Sequence, residues 1–326
     1  MTIFGLAKSL VAVLATALLA ALATQATAEE RRIADLWFAH NAVASMLGSG
    51  DEIKVTVCKP EIYPWLYHMT PGLAGATVVP SGQPNTETLL SEGIGLAFVS
   101  NSTPAEPLRA AGIETHQLSF NSLQTLLAAL DQTADALATD VAQDRVVDYK
   151  TYLDDIQSKI AGRIAAVPDE RRPRVLHLPS IEPLQADGAE TIIDEWIRLS
   201  GGRNAADGLT GNLQTVSLEQ VLEWQPDIVI VGANAQQPLP GPTGGWEGVT
   251  AVREGRVYRN PKGVFLWDRY STEFALQLMW TSRLIYPELF ADTDMRAEVR
   301  EFYQRFFGYS ASDEEVTRIL DAQPPA

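Results

Sequence analysis

One stretch constrains the fold of this chain more than any other: residues 141–167 carry one uninterrupted amphipathic pattern. Apolar side chains recur there at steps of three and four residues, the spacing of one face of an α-helix. These side chains are Ala142, Val146, Tyr149, Leu153, Ile156, Ile160 and Ile164. No proline interrupts the pattern before Pro168. At ~1.5 Å per residue the predicted helix is about 40 Å long, enough to run the height of a two-lobed protein.

On each side of this helix the sequence predicts alternating strands and helices, which is typical of a parallel sheet. Residues 32–37 form the first predicted strand, and residues 174–178 begin the same succession again. Three short segments also match in the same order: residues 32–36, 47–48 and 86–90 resemble residues 174–178, 199–201 and 218–222. We therefore expect two similar lobes.

The predicted fold is α/β, with two Rossmann-like lobes that contain parallel sheets, one long rigid helix between them and a ligand cleft between the lobes. The predicted boundaries are residues 1–28 for a signal peptide, 29–140 for the N-terminal lobe, 141–167 for the interlobe helix and 168–326 for the C-terminal lobe. Because bending a continuous helix breaks its hydrogen bonds, we expect the lobes to rock slightly and not to close widely.

Residues 1–28 have the pattern of a cleaved secretory signal. Lys8 is their only charge, residues 10–22 are apolar, and Ala26, Thr27 and Ala28 form a small-x-small cleavage site. A membrane anchor is the less favoured alternative, because the apolar run is shorter than the ~20 residues that a span needs. No cysteine lies near the cleavage site. We expect an exported, soluble periplasmic protein without a lipid anchor.

The charge of the chain is strongly acidic. Without Lys8, 24 basic residues remain against 41 acidic ones, a net charge of −17, which argues against nucleic acid or anionic lipid as a partner. Cys58 is the single cysteine, so neither an internal disulfide nor a thiolate metal cluster is expected.

Ligands of open α/β sheets bind beyond the carboxyl ends of the strands, and the residues expected there are rich in aromatic side chains. The candidate ligand-binding residues are His40, Asn41, Tyr63, Tyr67, His68, Asn101, Trp246, Trp267, Arg269 and Tyr270. Aromatic walls suit a chelate or a macrocycle, although half of them, Trp65 included, are expected to cap the lobe cores. Arg269 can bind an oxyanion or carboxylate with two hydrogen bonds, or it pairs with Asp268 or Glu273.

A direct metal site needs three or four ligands, and His40, His68, Tyr63 and Glu61 could provide them. The alternative is that both histidines only form hydrogen bonds. The sequence contains no H-E-x-x-H, no G-x-S-x-G and no phosphate-binding loop. No nucleophile–base arrangement is evident, so we expect neither an enzyme nor a resident cofactor.

Residues 216–231 (VSLEQVLEWQPDIVIV), residues 255–260 (GRVYRN) and the early Leu47-Gly48 pair resemble the substrate-binding proteins of ABC importers in which one rigid helix joins two lobes. The run WDRYSTE at 267–273, with YPELF at 286–290 and FYQRFF at 302–307, is similar to a branch associated with iron, cobalamin or molybdate uptake. Glu92-Gly-Ile-Gly95 departs from the family, whose members carry Lys-Pro-Asp there.

This resemblance implies a solute-binding subunit that captures a metal complex and delivers it to an ABC permease with its ATPase. A ferric siderophore or another iron chelate is the first choice, and cobalamin, haem, a nickel chelate, molybdate and tungstate are the alternatives. Glu87 and Glu219 occupy the positions where one acidic residue of each lobe meets permease arginines, unless both are simply solvated. A monomer is expected. The remaining alternatives are an exported metal-dependent hydrolase that uses His40 and His68, and a sensor domain.

Overall fold

The computed structural model describes residues 31–81 and 84–326, so the predicted signal peptide lies outside the described residues. The first lobe has five strands: β1 (Ile33–Asp35), β2 (Ile53–Thr56), β3 (Thr77–Val78), β4 (Leu96–Val99) and β5 (Glu114–Gln117). Its helices are α1 (Phe38–Met46), α2 (Pro64–Met69), α3 (Thr86–Ser91), α4 (Ser102–Ala110) and α5 (Leu123–Leu137), with 3-10 turns at Gly50–Glu52 and Pro71–Gly75. The strands form a parallel sheet in the order β3-β2-β1-β4-β5. Helices cover both faces, so the interior strand β4, next to the central β1, is apolar and buried throughout.

The interlobe helix α6 (Asp140–Ile164) is unbroken over 25 residues, as the sequence predicts, and ends three residues before the predicted boundary. The Thr139 hydroxyl caps it by accepting a hydrogen bond from the Ala142 N–H. All seven predicted apolar side chains are buried, and Tyr152 joins them. The Tyr149 hydroxyl donates to the Thr272 carbonyl of the second lobe at 2.8 Å, so the helix is bonded to the lobe that follows it as well as packed against both.

The second lobe contains seven strands: β6 (Arg174–Leu178), β7 (Ser180–Ile181), β8 (Leu184–Ala186), β9 (Arg203–Asn204), β10 (Gln214–Thr215), β11 (Ile228–Val231) and β12 (Val257–Arg259). Its helices are α7 (Ile192–Leu199), α8 (Leu218–Trp224), α9 (Thr250–Arg253), α10 (Phe274–Ile285), α11 (Met295–Phe307) and α12 (Asp313–Leu320), with 3-10 turns at Asp169–Arg171 and Trp246–Gly248. A parallel sheet runs in the order β12-β11-β6-β9, and β10-β8-β7 form a small antiparallel sheet.

The faint sequence repeat corresponds to a structural repeat. In each lobe the first strand lies inside the parallel sheet, between the next strand of that sheet and a later one. The first strand β1 lies between β2 and β4, and β6 lies between β9 and β11. The matching helices α1 and α7 end at glycines of positive φ, Gly48 at +92° and Gly201 at +90°. Glycine adopts this conformation without the steric cost of a Cβ atom, so both helices end abruptly before the next strand.

The hydrophobic core is continuous across the molecule. One cluster of buried side chains runs from the first lobe through α6 into the second lobe, and smaller clusters lie against the outer part of each lobe. The C-terminal segment returns to the first lobe, where the Trp65 indole N–H donates to the Gln323 carbonyl at 2.8 Å. Trp65 is fully buried, in agreement with its expected role as a core residue.

We expect Ile160→Ala to lower the free energy of unfolding by about 2–5 kcal/mol, because it leaves a cavity where α6 is buried. Urea denaturation of the protein without residues 1–28 measures this. The matched control on the same helix is Val147→Ala, whose side chain is 65% exposed and whose effect should stay within about 0.5 kcal/mol. Equal losses for the two variants would contradict the assignment of the buried face.

Candidate functional site

The carboxyl ends of the two parallel sheets face each other, and aromatic side chains join them at two places. Tyr63 of the first lobe stacks between Phe38, at 5.7 Å between ring centroids, and Phe265 of the second lobe, at 5.6 Å and 7° between ring planes. Phe120 of the first lobe meets the edge of Tyr270 at 6.4 Å. Such contacts add to the hydrophobic energy of ring burial, so they hold the lobes together around the cleft.

Polar contacts cross the cleft as well. The Lys262 ammonium group donates to the Ile62 carbonyl of the first lobe and to Asn234 Oδ1, both at 3.1 Å, and burial lowers its pKa. The Glu195 carboxylate of the second lobe accepts from the Leu123 N–H at 2.6 Å. That N–H belongs to the first turn of α5, where the helix dipole favours a negative charge.

A network of charges lies at the second-lobe side of the cleft. Arg269 donates two hydrogen bonds to the Asp187 carboxylate, at 2.8 and 3.2 Å, and one to Asn212 Oδ1 at 3.2 Å. Asn212 Nδ2 in turn donates to the Tyr270 hydroxyl at 3.1 Å. Arg269 therefore has a partner that the sequence did not suggest, since the expected alternatives were Asp268 and Glu273.

His177 lies beneath this network and bridges two buried carboxylates, at 2.7 Å to Asp187 and 2.9 Å to Asp268. Burial opposes a charge on the ring, but hydrogen bonds to both carboxylates outweigh it and raise the pKa of His177. Burial likewise opposes ionisation of Asp187, and His177 and Arg269 outweigh it and lower its pKa. The Arg269 guanidinium and the His177 ring thus face the carboxylates of Asp187 and Asp268, and the Lys262 ammonium group lies near Asp268.

A cavity of about 230 Å³ opens at the carboxyl edge of the first-lobe sheet, among Trp37, Phe38, Ser100 and Asn101. Asn101 is exposed and caps α4 by accepting from the Thr103 N–H at 3.1 Å. Its position agrees with the expected strand end, and its contact with a ligand stays a prediction.

His40 and Asn41 do not line the cleft. The sequence suggested a polar turn after β1, but α1 begins at Phe38 and takes both side chains into the core, fully buried. His40 lies 2.7 Å from Asp35 Oδ2 and 2.9 Å from Thr133 Oγ1. Asn41 donates to two backbone carbonyls and accepts from the Thr56 hydroxyl at 2.6 Å.

Trp267 is also fully buried and belongs to a hydrogen-bond network around Glu273. The Glu273 carboxylate accepts hydrogen bonds from the backbone N–H groups of Val264 and Phe265, the Trp267 indole and the hydroxyls of Ser271 and Tyr303. Burial raises the pKa of Glu273 to about 7, and these donors limit the rise. This hydrogen-bond network positions the loop that carries Phe265 and Arg269.

The other candidates are dispersed. His68 is exposed and bonded to Tyr309 and Glu315 of the C-terminal segment, each at 2.8 Å, while the Tyr67 hydroxyl donates to the Cys58 carbonyl at 2.7 Å. Trp246 is half-buried against the outer cluster of the second lobe. His40, His68 and Tyr63 therefore do not converge, and among residues 31–81 and 84–326 no three histidine, cysteine or carboxylate side chains form a metal site.

Glu87 and Glu219 are exposed, and each lies in the first turn of a short helix, α3 in the first lobe and α8 in the second. Hydrogen bonds from its own backbone N–H and from Ser217 lower the pKa of Glu219. The two carboxylates occupy equivalent places in the structural repeat, which is compatible with their predicted docking role without testing it.

Several cleft residues escaped the sequence reasoning, namely Trp37, Phe38, Phe120 and Asp187, whereas Lys262 and Phe265 lie in the segment 262–270 that the sequence places at the cleft. Trp37 ends the first predicted strand and Phe38 follows it, so this aromatic pair is a usable signal. Asp187 follows β8, a strand that the sequence did not reveal, so no local pattern marked it.

The family model of periplasmic binding proteins matches residues 63–263, a range that includes Tyr63, Asp187 and Lys262 of the cleft. The chain belongs to this family. Its members are solute-binding proteins and not enzymes, in agreement with the expectation from sequence. No helix in the described part of the chain combines the length and hydrophobicity that a bilayer span requires.

Characterised relatives of this periplasmic binding protein are distant. The molybdate-binding protein of Haemophilus influenzae is 29% identical over 122 residues, which are 36% of this chain and only 35% of that relative. The Fe(3+)-citrate-binding protein of Bacillus subtilis is 22% identical over 231 residues, 60% of this chain and 70% of the relative.

Solved structures show the same two-lobed fold over nearly the whole chain. A periplasmic solute-binding protein of Veillonella parvula has a TM-score of 0.78 at 24% identity and covers 89% of this chain and 92% of its own. The molybdate-bound protein of Haemophilus influenzae has a TM-score of 0.76 at 20% identity, and the match covers 86% of this chain and 94% of that protein.

Glu273 should make stability depend on pH. Because its pKa is raised from 4.5 to about 7 in the folded protein, the folded state binds the proton more tightly than the unfolded state. The stabilisation of the folded state by this tighter proton binding is complete below about pH 4.5 and is lost as the pH rises through 7. In the wild type, the titration of Glu273 should therefore lower the unfolding free energy by roughly 3 kcal/mol as the pH rises from 4.5 to above 7. Glu273→Gln should abolish this decrease.

Denaturation at a series of pH values between 4 and 8 measures this slope. Glu301→Gln is the control on the neighbouring helix α11, because its carboxylate is exposed, and it should keep the wild-type slope. If the slope of Glu273→Gln equals that of wild type, Glu273 does not titrate as described.

Proposed function

We propose that this protein is the periplasmic solute-binding subunit of an ABC importer, which captures a compact metal-bearing anion and hands it unaltered to a membrane permease and its ATPase. Export through residues 1–28 without a lipid anchor, a monomeric state and the absence of a resident cofactor are parts of the same proposal. The observation that carries it is the cleft between two lobes on a rigid helix, with Arg269 and Lys262 at its second-lobe side.

The first candidate ligand is a tetrahedral metal oxyanion of the molybdate type. Two aromatic contacts bring the lobes together, and the second lobe contributes Arg269 and Lys262 beside them. Arginine and lysine N–H groups bind oxyanions directly, and the molybdate-binding relative supports this class.

The second candidate is a ferric carboxylate chelate, which the sequence placed first. It supplies its own oxygen ligands to the metal and needs only hydrogen-bond donors from the protein, so it agrees with the dispersed histidines. The Fe(3+)-citrate-binding relative supports it. Native mass spectrometry of protein purified from its own periplasm, combined with elemental analysis, separates the two candidates. Recovery of an uncharged, metal-free solute would refute both.

Arg269→Ala should weaken binding of that ligand by about tenfold or more, because a charge-assisted hydrogen bond is lost. Isothermal titration calorimetry measures the change. Arg203→Ala is the control, since Arg203 is an exposed arginine of the same lobe and its removal should leave the affinity unchanged. Equal affinity of Arg269→Ala and wild type would remove Arg269 from the binding site.

Replacing Glu87 and Glu219 together with alanine should leave ligand binding intact and stop uptake, because docking needs one carboxylate on each lobe. Uptake of radiolabelled ligand into cells that lack the wild-type protein measures this. The control replaces Glu223 and Glu254, two exposed acidic residues of the second lobe. Normal uptake by the first variant would show that the docking assignment is wrong.

A further inference from the structure

A second pocket, of about 410 Å³, lies away from the cleft, at the amino-end side of the first-lobe sheet. The C-terminus of α1, the end of α2, the interlobe helix α6 and the end of α11 meet there. Its lining includes Ser45, Asp51, Met69, Arg145 and Phe307. The family's cleft and the proposed importer function use none of these side chains.

Arg145 is the only cation of this lining that is permanently charged, and it has no carboxylate within ion-pair distance among the described residues. Its guanidinium group donates one hydrogen bond, to the Met46 carbonyl at 2.8 Å. That contact caps the C-terminus of α1, where a positive charge is favourable. A guanidinium group has five N–H donors, so most of its donors stay open to an incoming acceptor, and burial lowers the pKa of Arg145, as expected for a cation short of a counter-ion.

Ser45 provides a second, independent indication that a hydrogen-bonding ligand belongs in this pocket. It is only 7% exposed, and its hydroxyl has no hydrogen-bond partner in the part of the chain that the structure describes. Buried hydroxyl groups are nearly always satisfied, so an unpaired one calls for an explanation. Both Ser45 and Arg145 line the same pocket.

Two glycines keep the space around these groups open. A Cβ atom at Gly48 would lie 3.2 Å from the Arg145 guanidinium, and one at Gly50 would lie 3.0 Å from the Ser45 hydroxyl oxygen and 2.3 Å from the Thr70 methyl carbon. Gly48 also has a φ of +92°, which disfavours other residues. Side chains at either position would press on the two polar groups.

We infer that this pocket is a second binding site, for a small organic monocarboxylate. The carboxylate accepts hydrogen bonds from the planar guanidinium fork of Arg145 and from the Ser45 hydroxyl, whose residue lines the same pocket. Phe307 and Met69 contact the carbon skeleton. Asp51 on the lining repels a second carboxylate, so monocarboxylates bind in preference to dicarboxylates. Because the pocket joins the first lobe, α6 and the C-terminal helices, a bound ligand also ties these parts together.

The probe is benzoate, titrated by calorimetry into the protein without residues 1–28 at constant ionic strength. We expect saturable one-site binding that Arg145→Gln weakens by about tenfold or more. Arg163→Gln is the matched control. It removes the same charge from the other end of α6, where Arg163 pairs with Asp292, and it should bind benzoate as wild type does. Terephthalate should bind more weakly than benzoate, and Asp51→Asn should reduce that difference.

Three results would overturn the inference: no benzoate binding to wild type, equal loss in Arg145→Gln and Arg163→Gln, or inorganic phosphate that displaces benzoate at lower concentration. The test is independent of the cleft. Arg269→Ala should retain benzoate binding, and molybdate should not compete with it. Competition by molybdate would move benzoate into the cleft and refute a second site, while leaving the proposed importer function standing.

Discussion

The structure depends on the burial of one face of α6 by both lobes at once. A continuous helix cannot bend sharply without losing backbone hydrogen bonds, so it holds two separate sheets at a constant separation. The hydrophobic cluster that runs from the first lobe through α6 into the second makes this arrangement one cooperative unit. The carboxyl ends of both sheets are therefore presented to each other, and the cleft needs no hinge to exist.

The cleft itself is organised by a buried carboxylate. Glu273 accepts five hydrogen bonds and thereby fixes the loop in front of α10, which carries Phe265 and Arg269 to the interface between the lobes. Burying a carboxylate costs free energy unless donors surround it, and here the donors are the backbone and side chains of the loop. These hydrogen bonds hold the loop in place opposite Tyr63.

Local patterns misled where a contact partner lies far away in the chain. A polar pair after a strand looks the same whether it faces solvent or enters a helix, and His40 was placed on the cleft for this reason. One of its two partners, Asp35, is five residues away, but the other, Thr133, is 93 residues away. For Arg269 the sequence suggests a ligand or a neighbouring carboxylate as partner, whereas Asp187 lies 82 residues before it. Neither distance leaves a trace in spacing or periodicity.

The sequence by itself determined the helix α6, the alternation of strands and helices and the repeated lobes, which follow from periodicity and from glycine positions, and these are local properties. It did not reveal the small sheet β10-β8-β7. Only the tertiary structure decided which polar side chains are buried and hydrogen-bonded in the core and which face the cleft. The reason is physical, because the state of a charged or aromatic side chain depends on burial and on partners that the fold brings together from distant parts of the chain. Tyr63 and Phe265 became one stacked pair only when the two lobes met.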